Sequence, residues 1–381
     1  MSQTQLYPLR FREILRDYRF GDRWIVEAYQ KTGLPDDHRV AETWEVCDRP
    51  GESSEVVNGP LAGETLHTLI ARFGASLLGR DVVARCGTRF PLLIKFLDAS
   101  HTLGEQAHHS DALARRRGLS DPGKTEAWYM LNVREGASIR CGARPGMTAD
   151  DVHDALMTGT IRSLMQPYEV APEDAFLLYA GTMHYSAGGV LFYEIMQNSD
   201  VYIGLADPPD SALPREEREA EVARLMEGVH LEPDYECKTS PVVLKRGDCT
   251  RSYIFACTYF ALERLDLRGP ITLTMDGERF DVLSLIEGEM TVEGGGRGEH
   301  LRSGQSCLLP ADVGKITLSP VDGPCALLRA YVPDLQKNVI RLLRKAGVAD
   351  EAIAALGGRT RLNPLLPLLA VERPDASYDA S

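Results

Sequence analysis

Along most of the chain, short apolar runs alternate with breaks at Gly, Pro, Asp or Asn. RFPLLIKFLDA (89–99) is a compact apolar run of strand length, which predicts a strand buried on both faces. AWYMLNV, DAFLLYAG and GGVLFYEIMQ repeat that style. Three stretches change period. ETLHTLIARFGASLLG (64–79) lines up Leu66, Leu69, Ile70, Phe73 and Leu77 on one helical face. TADDVHDALMTGTIRSLM (148–165) opens with a Thr148 cap and Asp151 three residues on, the pattern of a capping box. LPREEREAEVARLMEGV (213–229) carries the apolar stripe Val222, Leu225, Met226 and Val229. A second strand-rich unit follows, in which FDVLSLIEGEMTVEGGG (280–296) and SGQSCLLPADVGKITL (303–318) each read as strand, glycine turn, strand. No helix follows glycines 294–296, so they read as a hairpin turn and not as a phosphate loop. Beyond residue 335 the pattern becomes helical and ends in a polar tail, ERPDASYDAS, expected to be disordered. Many short strands with few helices predict a mainly β chain: two β-sandwich or jelly-roll units in tandem, with helical insertions. The expected divisions are 1–235, 236–335 and a helical 336–381.

Composition narrows the possible partners. The 381 residues include 44% apolar and 25% charged, as in a soluble globular protein. A net charge of −13 argues against nucleic acid as a partner. No apolar run reaches membrane-span length, and the charge-studded N-terminus has no secretory apolar core. The eight cysteines are scattered without a CxxC pair, which predicts free thiols in a reducing cytoplasm.

LGEQAHHSD (103–111) carries the most chemistry. On a strand, Gln106 and His108 share a face and His109 points the other way. Glu126 follows in GKTEAWYML and His184 in EDAFLLYAGTMHYSAGG. Two imidazoles, a carboxylate and an amide oxygen suit a borderline divalent cation such as Zn²⁺, with a position left for water or substrate.

Here the sequence resembles the type I mannose-6-phosphate isomerases of the shorter bacterial kind, a cupin family. AETWEV (41–46), VVNGPLAGETL (56–66), FPLLIKFLDA (90–99), GKTEAWYML (123–131), AGTMHYSAGG (180–189), YEIMQNSD (193–200) and HLEP (230–233) resemble successive family blocks in order. The likeness spans residues 40–235 and fades toward 335. It implies a tandem cupin, one zinc ion or another divalent metal per chain, and interconversion of mannose 6-phosphate and fructose 6-phosphate. The implied ligands are Gln106, His108, Glu126 and His184. The implied pocket residues are Lys95, Lys124 and Glu194, with a further acidic residue at Asp200. Lys124 and Glu194 are the expected acid/base pair for moving a proton between C1 and C2. The partner is then a small sugar or sugar phosphate, and the protein a monomer or homodimer.

The likeness breaks at one place that bears on function. Where the family has TTYRVYDWGR, this chain has VYIGLADPPD (201–210), so Gly204 and Asp210 replace two arginines. Gly104 and His109 replace a serine and a proline beside the ligands. Arg162, Arg215 and Arg218 are candidates to replace the lost guanidinium. The second unit lacks histidine in FDVLSLIEG and LLPADVGKI and reads as metal-free. Two other classes stay open: a cupin metalloenzyme of different chemistry, or a sugar- or metal-binding protein without turnover.

Overall fold

The computed structural model describes residues 5–31, 38–205, 213–232 and 234–371. The polar tail and Asp210 therefore lie outside the described residues. The chain is mainly β, with three large antiparallel sheets. Two of them form the first sandwich. One orders its strands as Ala175–Leu178, Glu126–Val133, Val190–Gln197, Leu92–Ala99, Glu42–Val46 and Ile14–Arg16. The other runs Met165–Glu169, Ser138–Ala143, His184–Ser186, Leu103–Ala107 and Ile203–Gly204. The third, of nine strands, gathers the segment after residue 241. It also takes in Leu9–Arg10, which pairs with Ser306–Leu309.

The six-stranded sheet is the middle layer, which explains why its central strands are apolar without alternation. All eight residues of Leu92–Ala99 and all eight of Val190–Gln197 are buried. Its row Tyr129, Tyr193, Phe96 and Thr43 faces the nine-stranded sheet. There the Tyr193 hydroxyl lies 3.2 Å from Ser284 Oγ and Arg264 donates to the Tyr129 hydroxyl at 3.1 Å. One apolar cluster, including Phe96, Tyr193, Phe255, Phe280 and Leu328, runs through both units. The opposite row is Trp128, Glu194, Lys95 and Trp44, and it faces the five-stranded sheet. A fully buried strand that carries a lysine thus has one dry face and one polar face.

Three sequence expectations change in detail. The helix expected over 64–79 is broken into Leu66–Phe73 and Ala75–Leu78, followed by Arg80–Cys86, because Gly74 and Gly79 adopt positive φ. The run 280–294 is one long strand, Asp281–Gly294, with register shifts on either side of Glu287, not two strands around a turn at Gly288. Its hairpin through Gly295 and Gly296 is as expected. The cysteines are not all free: Cys141 and Cys237 form a disulfide and the other six are free. Their sequence separation of 96 gives no local signal; the fold meets because the backbone at Cys237 bonds to Leu177. The capping box at Thr148 and Asp151 is present, with both reciprocal bonds. Among the described residues no helix is long and apolar enough to cross a membrane.

Gly79 is where the two units lock. Backbone bonds join Leu77, Leu78, Arg80 and Asp81 to residues 277–280 and 311. A Cβ on Gly79, at φ +98°, would sit 2.2 Å from the Glu278 carbonyl oxygen. Gly79→Ala is expected to lower stability by more than the ~1–3 kcal/mol of backbone strain alone. Gly74→Ala, with nothing within 4 Å, carries only the strain. Urea denaturation of both variants measures the difference, and equal losses would contradict this docking role.

Candidate metal centre

Two cross-strand rows make the site. In the five-stranded sheet, His184 pairs with Gln106 and Gln106 with Gly204, so all three share a face. His108, just beyond the end of Leu103–Ala107, continues that face. From the facing sheet come Glu126, at the start of its strand, and the row Trp128, Glu194, Lys95 and Trp44. The structure brings together His108, Glu126 and His184, whose candidate ligand atoms all lie within 4.8 Å of one another. Gln106 stands directly opposite His184 in the ladder and is buried. His109 points away, as expected, and its Nε2 accepts from Arg117 at 2.8 Å.

The protons decide what this cluster can hold. His108 Nδ1 lies 3.0 Å from the Val201 carbonyl and His184 Nδ1 lies 2.8 Å from the Thr182 carbonyl. A carbonyl only accepts, so both Nδ1 atoms carry the hydrogen and both Nε2 atoms present lone pairs. Those lone pairs face the Glu126 carboxylate at 3.3 and 3.1 Å. Both Nε2 atoms and both Glu126 oxygens are buried without a hydrogen-bond partner. Four buried acceptors aimed at one another are unstable without a cation among them. The donor set therefore fits a divalent metal, each imidazole held by a carbonyl behind it.

Lys124 supplies the nearest positive charge, with Nζ 2.9 Å from Glu126 Oε2. Its loop is pinned by three bonds: Gly123 N to Asp111, Lys124 N to the His109 carbonyl, and Thr125 N to Gln197. Burial works against the Glu126 charge, yet Lys124 holds that carboxyl well below its usual range. Burial and then Lys124 push His108 down to about 3, which keeps its ring neutral.

Deeper in the row, Lys95 Nζ bridges Glu194 Oε2 at 3.1 Å and Glu42 Oε2 at 3.2 Å. Burial opposes the Lys95 charge, but the two carboxylates outweigh it and hold the ammonium protonated. Burial raises Glu194, whose other oxygen accepts from Trp128 Nε1 at 3.0 Å. Glu42, Trp44 and Trp128 were not singled out from sequence. The period of two in AETWEV, and the two-residue step from Glu126 to Trp128, place them on this face. Asp200 lies outside the cluster, 78% exposed and 4.0 Å from Arg49.

None of the three candidate arginines reaches the site. Arg162 pairs with Glu105, whose side chain leaves the sheet opposite to Gln106, and it stacks over Tyr185. Arg215 pairs with Glu219 on an exposed helical surface. Arg218 is buried against the Leu156 carbonyl and Glu221.

Two outcomes follow for the protein in solution. His108→Ala combined with His184→Ala is expected to abolish divalent-metal content, read by elemental analysis of the purified chain. In the metal-free protein, unfolded His108 takes a proton near 6.5 while the folded ring does so only near 3. Between those values the unfolded chain binds the extra proton, so stability falls as pH falls from 6.5 toward 3. The depressed Glu126 acts in the same direction. Urea titrations of chelator-treated protein test this, and stability independent of pH across the window would contradict the neutral His108.

Comparisons with known proteins agree with this architecture. Residues 13–127 match the family model "Phosphomannose isomerase type I, catalytic domain", and residues 250–332 match "Mannose-6-phosphate isomerase, cupin domain". A mannose-6-phosphate isomerase of Bacillus subtilis is 29% identical over 319 residues, covering 82% of this chain and 95% of the relative. One from Streptococcus mutans is 25% identical over 278 residues, covering 71% and 83%. Among solved structures, a mannose 6-phosphate isomerase from Bacillus subtilis shares the fold at TM-score 0.73 and 24% identity, over 85% of this chain and 99% of that one. A phosphomannose isomerase variant from Salmonella typhimurium does so at TM-score 0.69 and 19% identity, over 86% and 100%. The chain belongs to the type I mannose-6-phosphate isomerase family of cupin proteins, as a diverged member.

Proposed function

We propose that the protein is a metal-dependent aldose–ketose isomerase of the mannose-6-phosphate type, acting on an open-chain hexose or its phosphate. The observation that carries this reading is Glu126, buried between two Nε2 lone pairs with Lys124 at 2.9 Å. Gln106, His108, Glu126 and His184 are the proposed ligands, and zinc the proposed ion, one per chain. When bound, the ion would fix the sugar's oxygens and stabilise negative charge on them. The segment 1–235 would carry the site, 236–335 brace the middle sheet from behind, and the helical part of 336–381, residues 336–371, cap the second unit. The cytoplasm is the proposed setting, and a monomer or homodimer the proposed state.

The residues around the ion divide the remaining work. Isomerisation moves one proton between C1 and C2 and another between the two oxygens, through an enediol. Lys124 and Glu194 are the proposed proton carriers, one pinned at the mouth by its loop and one fixed by Trp128 and Lys95. Lys95, held charged between Glu194 and Glu42, offsets the like charges that substrate and carboxylates bring together.

Lys124→Met is expected to remove most turnover while leaving metal content unchanged, since the lysine is not a ligand. Glu194→Gln is expected to act likewise, keeping its bond to Trp128. General acid–base groups contribute about a hundredfold to ten-thousandfold. A coupled assay of fructose and fructose 6-phosphate formation reads the effect. Full activity in both variants would overturn these roles, and a metal-loaded wild type inert toward every hexose and hexose phosphate would favour a binding protein.

A further inference from the structure

A cavity of about 340 Å³ opens where the two units meet. Gln197 lines it from the middle sheet. That residue follows Met196, which pairs with Glu126, so its side chain leaves the sheet on the face turned from the metal cluster. Neither the clustered ligands nor Lys95, Lys124 or Glu194 line the cavity. Three guanidiniums do: Arg85 in the helix Arg80–Cys86, Arg89 ahead of the strand Leu92–Ala99, and Arg115 in the helix Asp111–Arg116. That grouping runs against the chain's net charge of −13. Its charges are weakly countered. Among the described residues Arg115 has no side-chain hydrogen bond or ion pair, and Arg85 donates only to the Pro333 carbonyl, at 2.8 Å. Arg89 shares the Asp121 carboxylate with Arg49, at 2.9 and 2.8 Å.

The acid on the cavity wall, Asp111, is taken up by neutral donors. Its Oδ1 accepts from Gly123 N at 2.8 Å and Gln197 Nε2 at 3.2 Å, and its Oδ2 from the Tyr259 hydroxyl at 2.7 Å. Gln197 Oε1 in turn accepts from Thr125 N at 2.9 Å. The wall therefore includes two of the side chains that pin the Lys124 loop. Phe90, Pro91 and Val332 add an apolar patch. Several guanidiniums suit a phosphate, whose oxygens they can share, and the apolar patch suits a carbon body. We propose that this cavity is a second ligand site, taking a small phosphate monoester, and that its occupancy steadies the Lys124 loop through Asp111 and Gln197. The bound phosphate ties Arg115, whose helix begins at Asp111, to Arg85 and Arg89, and so restrains the anchor of the loop. The site stands apart from the isomerase reading, since binding there needs neither metal nor turnover.

The test titrates the metal-loaded full chain by calorimetry with phenyl phosphate, and with benzoate and inorganic phosphate for comparison. Phenyl phosphate is expected to bind at least about fivefold more tightly than either, since benzoate carries a single charge and inorganic phosphate lacks the apolar body. Arg115→Gln, an exposed change, is expected to weaken its binding about fivefold, and Arg85→Gln combined with Arg115→Gln at least about twentyfold, with metal content unchanged. Arg215→Gln, on a surface away from the cavity, is expected to leave the affinity as it is. Hydrogen exchange of the wild type locates the ligand: phenyl phosphate is expected to slow exchange over residues 85–91 and 111–125 by about threefold or more. No binding, equal binding of benzoate or inorganic phosphate, or an affinity unchanged in the double arginine variant would overturn the site, as would an equal loss in Arg215→Gln. Protection confined to the strands around Gln106, His108 and His184 would overturn it too, because the anion would then sit at the metal centre. Binding at the cavity with unchanged exchange over residues 123–125 would sink the coupling to the Lys124 loop.

Discussion

Everything at the centre of this molecule answers to one buried carboxylate. Glu126 is almost wholly removed from water, and the positive charge beside its oxygens is Lys124, 2.9 Å from Oε2. Its neighbours across the sandwich are two imidazole lone pairs, which repel it, and a lysine, which attracts it. Such an arrangement persists only if the surrounding fold fixes each group and a cation completes the set. The fold does so by tying both Nδ1 atoms to carbonyls and the Lys124 loop to three separate anchors.

The middle sheet makes that possible. Its far face packs aromatic and aliphatic residues against the second unit, so the near face can hold Glu42, Lys95, Glu126 and Glu194 in a nearly dry environment. Burying so many charges is tolerable because Lys95 sits between Glu194 and Glu42, and Lys124 sits beside Glu126. The lock at Gly79, where main chain meets main chain, keeps the two units in register. The second unit thus supports a site to which it contributes none of the clustered ligand atoms.

Much of this was legible in the sequence. The run FPLLIKFLDA revealed a strand buried on both faces, and Lys95 within it signalled a polar partner. His108, Glu126 and His184 could be nominated by residue type and by their likeness to a family. The rest was hidden because it depends on pairing between distant strands. Glu42 joins the site only through the ladder that sets Trp44 beside Lys95, and Cys141 finds Cys237 across 96 residues. The breaks at Gly74 and Gly79 were hidden in a stretch whose apolar period looks continuous. The loss of a family arginine was visible as Gly204, but not that Gly204 shares a sheet face with Gln106 and His184.

The most direct test of the central claim is anomalous diffraction from crystals of the purified chain, collected on both sides of the zinc absorption edge. The account predicts one strong peak per chain, about 2 Å from Nε2 of His108, Nε2 of His184 and a Glu126 oxygen. A map without any metal peak, in protein supplied with zinc, and with Glu126 hydrogen-bonded to a ring N–H instead, would contradict it.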